Sequence, residues 1–196
     1  MAQTSTTLSG EVSHKSDISG SDISISTSGS ISSTSTVLTG AGKLAVRDLV
    51  TITGTGNNNK TFTVKAVVST TEFTVEETIS TNDNADGSTS FTLDHTGFVT
   101  DKAKGDGYYS QPDGVHTVAY HPGATINDDS TIGLIMQGSL ATTPTEDDWF
   151  DISGSTFTAD QSTLIGTANF TGNFVWVRAR ATSITAGTIS SILLNN

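Results

Sequence analysis

A chain of 196 residues with 20 acidic against 9 basic side chains carries a net charge of -11, which suits a soluble surface and disfavours a nucleic-acid phosphate backbone as partner. It has no cysteine, which excludes disulfides, thiolate catalysis and thiolate metal sites. Ser, Thr, Gly, Asn and Asp dominate and no run of Ala, Leu, Glu and Lys could make a long helix. The expected class is all-β: a small antiparallel β-barrel-like domain followed by a jelly-roll-like β-sandwich, with an extended N-terminal arm.

The first residues, MAQTSTTLSGEVSHKSD, offer neither a basic n-region nor an apolar h-region, and no later stretch reaches 18 continuous apolar residues. Synthesis in a cytoplasm without entry into a membrane is the expectation, and the sequons at Asn59 and Asn169 then match by chance. Residues 1–36 are low in complexity, with Ile18, Ile23, Ile25 and Ile31 set among serines, threonines and glycines. That density of small polar residues offers too little apolar area to offset the entropy of ordering. The alternation from Asp22 to Ser26 nevertheless fits a strand, so these isoleucines are expected to form an attachment arm that orders by pairing with another subunit or another part of a particle.

Residues 37–94 read as the small barrel-like domain, with strands at 44–53, 60–68, 72–76 and 88–93 and a modest core that needs support from its neighbour. The loop Gly54-Thr55-Gly56 lacks the third glycine of a dinucleotide fingerprint, and Asn57-Asn58-Asn59-Lys60 lacks the end of a phosphate loop, leaving a hairpin connection. Asn82-Asp83-Asn84-Ala85-Asp86-Gly87 resembles the start of a calcium loop, but Asp94 stands where the twelfth-position glutamate belongs and no helices flank it. A solvated turn is expected. Residues 95–122 form the connecting segment and supply the first strand of the next domain. Their His95, His116 and His121 fit no zinc spacing, and of the adjacent Tyr108 and Tyr109 one is expected to pack and the other to meet a partner.

Residues 123–196 are expected to form the β-sandwich, with strands at 132–140, 149–152, 163–170, 174–182 and 188–194 joined to one at 115–120. Phe174, Trp176, Arg178 and Arg180 alternate against Val175, Val177, Ala179 and Ala181, which places the first four on one face. Trp149 and Phe150, Phe174 and Trp176, and Arg178 and Arg180 are therefore the candidate core or interface residues. A sugar platform at Trp149 and Phe150 is the sharper alternative to a core plug. Asp147, Asp148, Asp151 and Asp160 sit among turn residues without an aromatic groove, and no Gly-x-Ser-x-Gly elbow exists, so no catalytic residue, metal or cofactor is assigned.

The phrases GLIMQGSLATTPTEDDWFDI at 133–152 and ANFTGNFVWVRARATSITAGTISSILLNN at 168–196 resemble segments of small structural proteins of tailed bacteriophages, including marine and cyanobacterial phages. RDLVTITGTGNNNKTFTVKAVVSTTEFTVEE at 47–77 is similar to a small β-module of phage virion proteins. The resemblance implies a non-enzymatic, oligomeric virion component, made in the host cytoplasm and placed on the outer surface of the capsid as a decoration or cement protein. Its expected partners are its own copies, as a homotrimer, and the major capsid protein. A neck or tail adaptor, or fibre-attachment protein, with neck or tail proteins as partners, and a carbohydrate- or receptor-binding β-sandwich are the alternatives. Neither a nucleic acid nor a membrane is an expected direct partner.

Overall fold

The computed structural model describes residues 5–84, 90–109, 114–123, 131–159 and 165–195, and every named strand pair in it is antiparallel. The chain divides into two compact units, and the first is discontinuous: Met1–His14 joins Val99–Asn196, while Lys15–Phe98 forms the second.

The discontinuous unit begins with β1 (Ser5–Ser9) and β2 (Val12–Ser13). The chain then builds the whole inserted unit from β3 (Ile18–Gly20), β4 (Ile23–Ile25), β5 (Ser30–Ser33), β6 (Asp48–Thr53), β7 (Thr61–Ser69), β8 (Glu72–Val75), β9 (Asp83–Asn84) and β10 (Phe91–Phe98). It returns with β11 (Ala103–Lys104), a 3-10 turn at Asp106–Tyr109, β12 (Val115–Pro122) and β13 (Ile132–Ser139). A second 3-10 turn, Glu146–Asp148, leads into β14 (Phe150–Asp151), followed by β15 (Phe157–Ala159), β16 (Gly166–Thr171), β17 (Trp176–Ile184) and β18 (Thr188–Asn195).

In the discontinuous unit one sheet has the order β1-β18-β12-β16, and the other has β11-β17-β13 with β14 and β15 both on the far edge of β13. Successive strands β11, β12 and β13, and again β15, β16, β17 and β18, alternate between the two sheets. With β1 and β11 as its first two strands, this is the double Greek-key order of a jelly roll. The alternating patterns supply its interior: Val118, Tyr120, Ile189, Ile192 and Leu194 from one sheet, and Leu134, Met136, Val177, Ala179 and Ala181 from the other, are all buried. Tyr120 stacks on Phe157 and donates its hydroxyl to the Ser155 carbonyl at 2.9 Å, which ties β12 to the β14–β15 link. Burial pushes that hydroxyl well above the ordinary tyrosine range.

The inserted unit is one path of eight strands, β3-β10-β6-β7-β8-β5-β4-β9, that folds over at β7. The first part of β7 pairs with β6 through Thr61, Phe62 and Thr63; from Val64 on it pairs with β8, with an irregularity between Val64 and Ala66. A strand that changes partners at a bulge makes a corner, so the two halves face each other as a sandwich rather than closing into a barrel. Between them lie Ile18, Ile23, Ile25, Ile31, Leu38, Val50, Ile52, Phe62, Phe73, Phe91 and Leu93.

These observations correct the expected organisation. Residues 5–36 are not an extended arm: β1 pairs with β18, while the four arm isoleucines are 0–4% exposed in the core of the inserted unit, and residues 1–4 lie outside the described residues. They pair within their own chain because β8 and β10 offer open edges, Ile31 lying opposite Phe73 and Ile18 opposite Leu93. Residues 95–98 complete β10, so the expected boundaries at 36 and 94 fall inside the inserted unit. The barrel-like closure is replaced by a sandwich-like one. No helix among the described residues is long and apolar enough to cross a membrane.

Candidate functional site

Strand β17 turns alternate residues to opposite faces, and its outward residues meet those of β13: Trp176 lies opposite Ser139, Arg178 opposite Gln137 and Arg180 opposite Ile135. Phe174 precedes the strand and leaves its alternation. It turns inward against Gly138 and Gly172, close to the rings of His116, Phe150 and Phe170. A side chain at Gly138 would lie 2.6 Å from the Phe174 ring, so the missing Cβ is what admits it. The expected single face of Phe174, Trp176, Arg178 and Arg180 therefore holds only from Trp176 onward.

Arg178 is the centre of a closed polar network. Its two terminal nitrogens donate to the Glu146 carboxylate at 2.8 and 2.7 Å, its Nε donates to Gln137 Oε1 at 2.9 Å, and Gln137 Nε2 donates to Asp151 Oδ1 at 2.8 Å. Trp149 lies over the guanidinium at 4.2 Å, leaving Arg178 only 5% exposed. The turn that supplies Glu146 is fixed by Thr145, whose backbone N–H and hydroxyl both donate to Asp148, and these bonds hold the Asp148 carboxyl below its usual range. Trp149 thus covers Arg178. Phe150, 44% exposed, stands on the neighbouring edge strand.

Trp176 belongs to a second group that its sequence neighbourhood does not reveal. Lys104 on β11 lies opposite it, and Tyr108 reaches it with ring centroids 5.3 Å apart. Tyr109 meets Tyr108 edge-on at 5.2 Å. The Lys102 ammonium lies 4.6 Å from the Trp176 ring centre and the Lys104 ammonium 4.1 Å from that of Tyr108. Trp176 Nε1 donates to the Thr142 carbonyl at 3.1 Å, so the indole is held and only partly covered. Tyr108 and Tyr109 are 44% and 56% exposed. Both tyrosines keep an exposed side, and Tyr108 also packs on Trp176. The turn beneath them is locked, because Gly105 and Gly107 donate to the carbonyls of Val175 and Phe174, and a Cβ on either would meet backbone oxygen at 2.4–2.5 Å.

Asp83, His116 and His95 are engaged within the chain. Asp83 turns toward the 54–59 loop and accepts from the backbone N–H of Asn57, a bond that lowers its carboxyl and is reinforced by Gly56 and Asn58. The loop's amides therefore hold the chain's own carboxylate, while Asp86 lies outside the described residues. His116 is buried against Phe170 with Nε2 3.1 Å from the Gly172 carbonyl oxygen. His95 is buried beside Asp48, accepts from the Lys15 backbone N–H at 3.1 Å, and shares Asp48 with the Lys15 ammonium. Asp160 lies outside the described residues. No group of three His, Cys, Asp or Glu side chains that could hold a metal occurs among the described residues. No family model, curated protein or solved structure matches the chain.

Proposed function

We propose that the chain is a non-enzymatic structural protein of a virion that decorates or cements the outer face of a capsid, bound to the major capsid protein and to its own copies. The observation that carries this reading is the jelly-roll strand order, since that architecture recurs in viral capsid and lectin domains. The segments that resemble phage structural proteins supply most of β13 and all of β14, β17 and β18. Fold alone does not fix function, and the support is joint: two units that each close a core, an acidic surface, and interleaved strands built from those segments. With the isoleucines of 18–31 committed to an interior, attachment passes from an arm to the folded surfaces, and oligomerisation as a trimer is a matter for those surfaces too.

Copy number in purified particles, measured by quantitative mass spectrometry against the major capsid protein, tests the reading. Hundreds of copies per particle are expected. Between 6 and about 12 copies would replace it with the neck or tail reading, and absence from particles would end both. The second reading, a carbohydrate-binding sandwich, is favoured by one specific observation, the exposed rings of Tyr108, Tyr109 and Trp176.

A further inference from the structure

Two of the chain's three tyrosines and one of its two tryptophans meet beside β11. Lys102 lies over Trp176 and Lys104 over Tyr108, yet with both ammoniums in place the two tyrosines keep an exposed side. Neither tyrosine hydroxyl carries a hydrogen bond among the described residues. Exposed aromatic area costs solvation free energy, and a turn that only had to join β11 to β12 could be built from the serine, threonine and glycine that fill this chain. The rings are also held still: the Gly105 and Gly107 amides fasten the 3-10 turn to the segment preceding β17, and the Trp176 indole, which donates to Thr142, backs Tyr108. A preorganised set of rings loses little conformational entropy when a ligand settles on it.

We propose that Tyr108 and Tyr109, backed by Trp176, form a binding site for an uncharged polysaccharide, a chain of neutral pyranose sugars. The inference rests on the carbohydrate-binding reading above and adds the class of sugar. Charge narrows the occupant from both sides. A net charge of -11 opposes polyanions, an acidic polysaccharide as much as a nucleic acid. A cationic ligand would have to take ring faces against which two ammoniums already lie, and would meet their charge. A neutral pyranose meets neither penalty. Its apolar C–H face stacks on a ring, and the hydroxyls around its rim pair with the tyrosine hydroxyls, each of which can donate and accept. No lysine donor is required. A proline-rich peptide is also uncharged and also stacks on aromatic rings, but it seats in a groove between ring walls; here the rings meet at 73° and 59°, as steps of one surface.

The test is affinity electrophoresis and calorimetry of the full chain with dextran, galactomannan and hydroxyethyl cellulose, with polygalacturonate as the acidic probe and an oligoproline peptide as the peptide probe. At least one neutral polymer should bind, with an affinity that added salt leaves unchanged. Tyr109→Ala should weaken that binding about tenfold, as truncation of an exposed aromatic anchor does. Tyr109→Phe, which keeps the ring and loses the hydroxyl, should weaken it severalfold. Lys102→Gln, and Phe150→Ala, which removes an exposed ring elsewhere, should leave it unchanged. The three replaced side chains are at the surface, unchanged thermal unfolding verifies that the fold is intact, and Tyr109→Phe keeps the test open if the alanine variant unfolds. The proposal is overturned if no neutral polymer binds, if polygalacturonate binds as tightly as the best of them, if only the oligoproline binds, or if neither Tyr109 variant weakens binding. Polygalacturonate bound through Tyr109 with no neutral polymer bound would remove the neutral assignment and leave the carbohydrate reading standing, whereas no polysaccharide binding at all would remove both. Particle copy number is read independently of these outcomes.

Discussion

Arg178 shows how a charge can be buried in an acidic β protein without being stranded. The bidentate Glu146 pair, the Gln137 acceptor and the Trp149 ring together replace the water it loses. Removing Arg178 leaves Glu146 and Gln137 without their donor, so Arg178→Ala should destabilise the jelly roll by about 3 kcal/mol in denaturant unfolding. Glu146→Gln keeps one acceptor and should cost less. Trp176, half-covered on the outer face, should cost about 1–2 kcal/mol on truncation to alanine, below the roughly 3–5 kcal/mol of a core tryptophan. Three carboxylates are held below their ordinary range. Asp22 is held down chiefly by the hydroxyls of Ser33 and Thr34, Asp83 by the Asn57 amide and Asp148 by Thr145. Their folded pKa values lie below the unfolded ones, so the stability they contribute is present above the ordinary carboxylate range near pH 4 and is lost as pH falls through the lowered values. Acid titration followed by circular dichroism should show a flat plateau above about pH 5 and a decline below about pH 4. A decline starting near neutrality would contradict this account.

At the scale of elements, β3, β4 and β5 carry the main revision. The alternation of Ile23 and Ile25 was readable in the sequence, and so was a strand there. What could not be read was the partner, because β5 pairs with β8 and β3 with β10, across long stretches of chain that leave no local signal. Composition averaged over 36 residues also hid the fact that four isoleucines at the right faces are enough for two narrow sheet edges. Hydrogen exchange on the full chain should therefore show the amides of 23–25 and 30–33 protected to a degree comparable with β6, whereas exchange within seconds would restore the free arm. Ile25→Ala should cost about 2–5 kcal/mol. The same limit applies to the aromatic platform: the β17 alternation was legible, but only the β11–β17 pairing brings Tyr108 to Trp176. Gly105 and Gly107 were the available hint, since glycines flanking an acid before two tyrosines signal close backbone approach. The Arg178 face was legible, while its anchor Glu146, three residues before Trp149, looked like one more acid of a turn.

For the whole molecule, the central feature is a jelly roll whose link between its first two strands, β1 with β2 and then β11, carries a complete sandwich. An inserted unit must begin and end at nearby points, and this one does: β3 runs antiparallel to β10, and the Lys15 backbone donates to His95 while its ammonium meets Asp48. The isoleucine, valine and phenylalanine interior of the insert draws on residues from 18 to 93 alone. The interior of the jelly roll likewise draws on the chain outside 15–98. Each unit thus closes its own interior, and the loss of one need not unfold the other. The most direct measurement is the amide NMR spectrum of a chain in which residues 15–98 are replaced by a short Gly-Ser linker. The account predicts a dispersed spectrum in which the amides of Leu134, Met136, Val177, Ala179 and Ile192 keep their full-length positions; collapse of these signals into the unfolded range would contradict it.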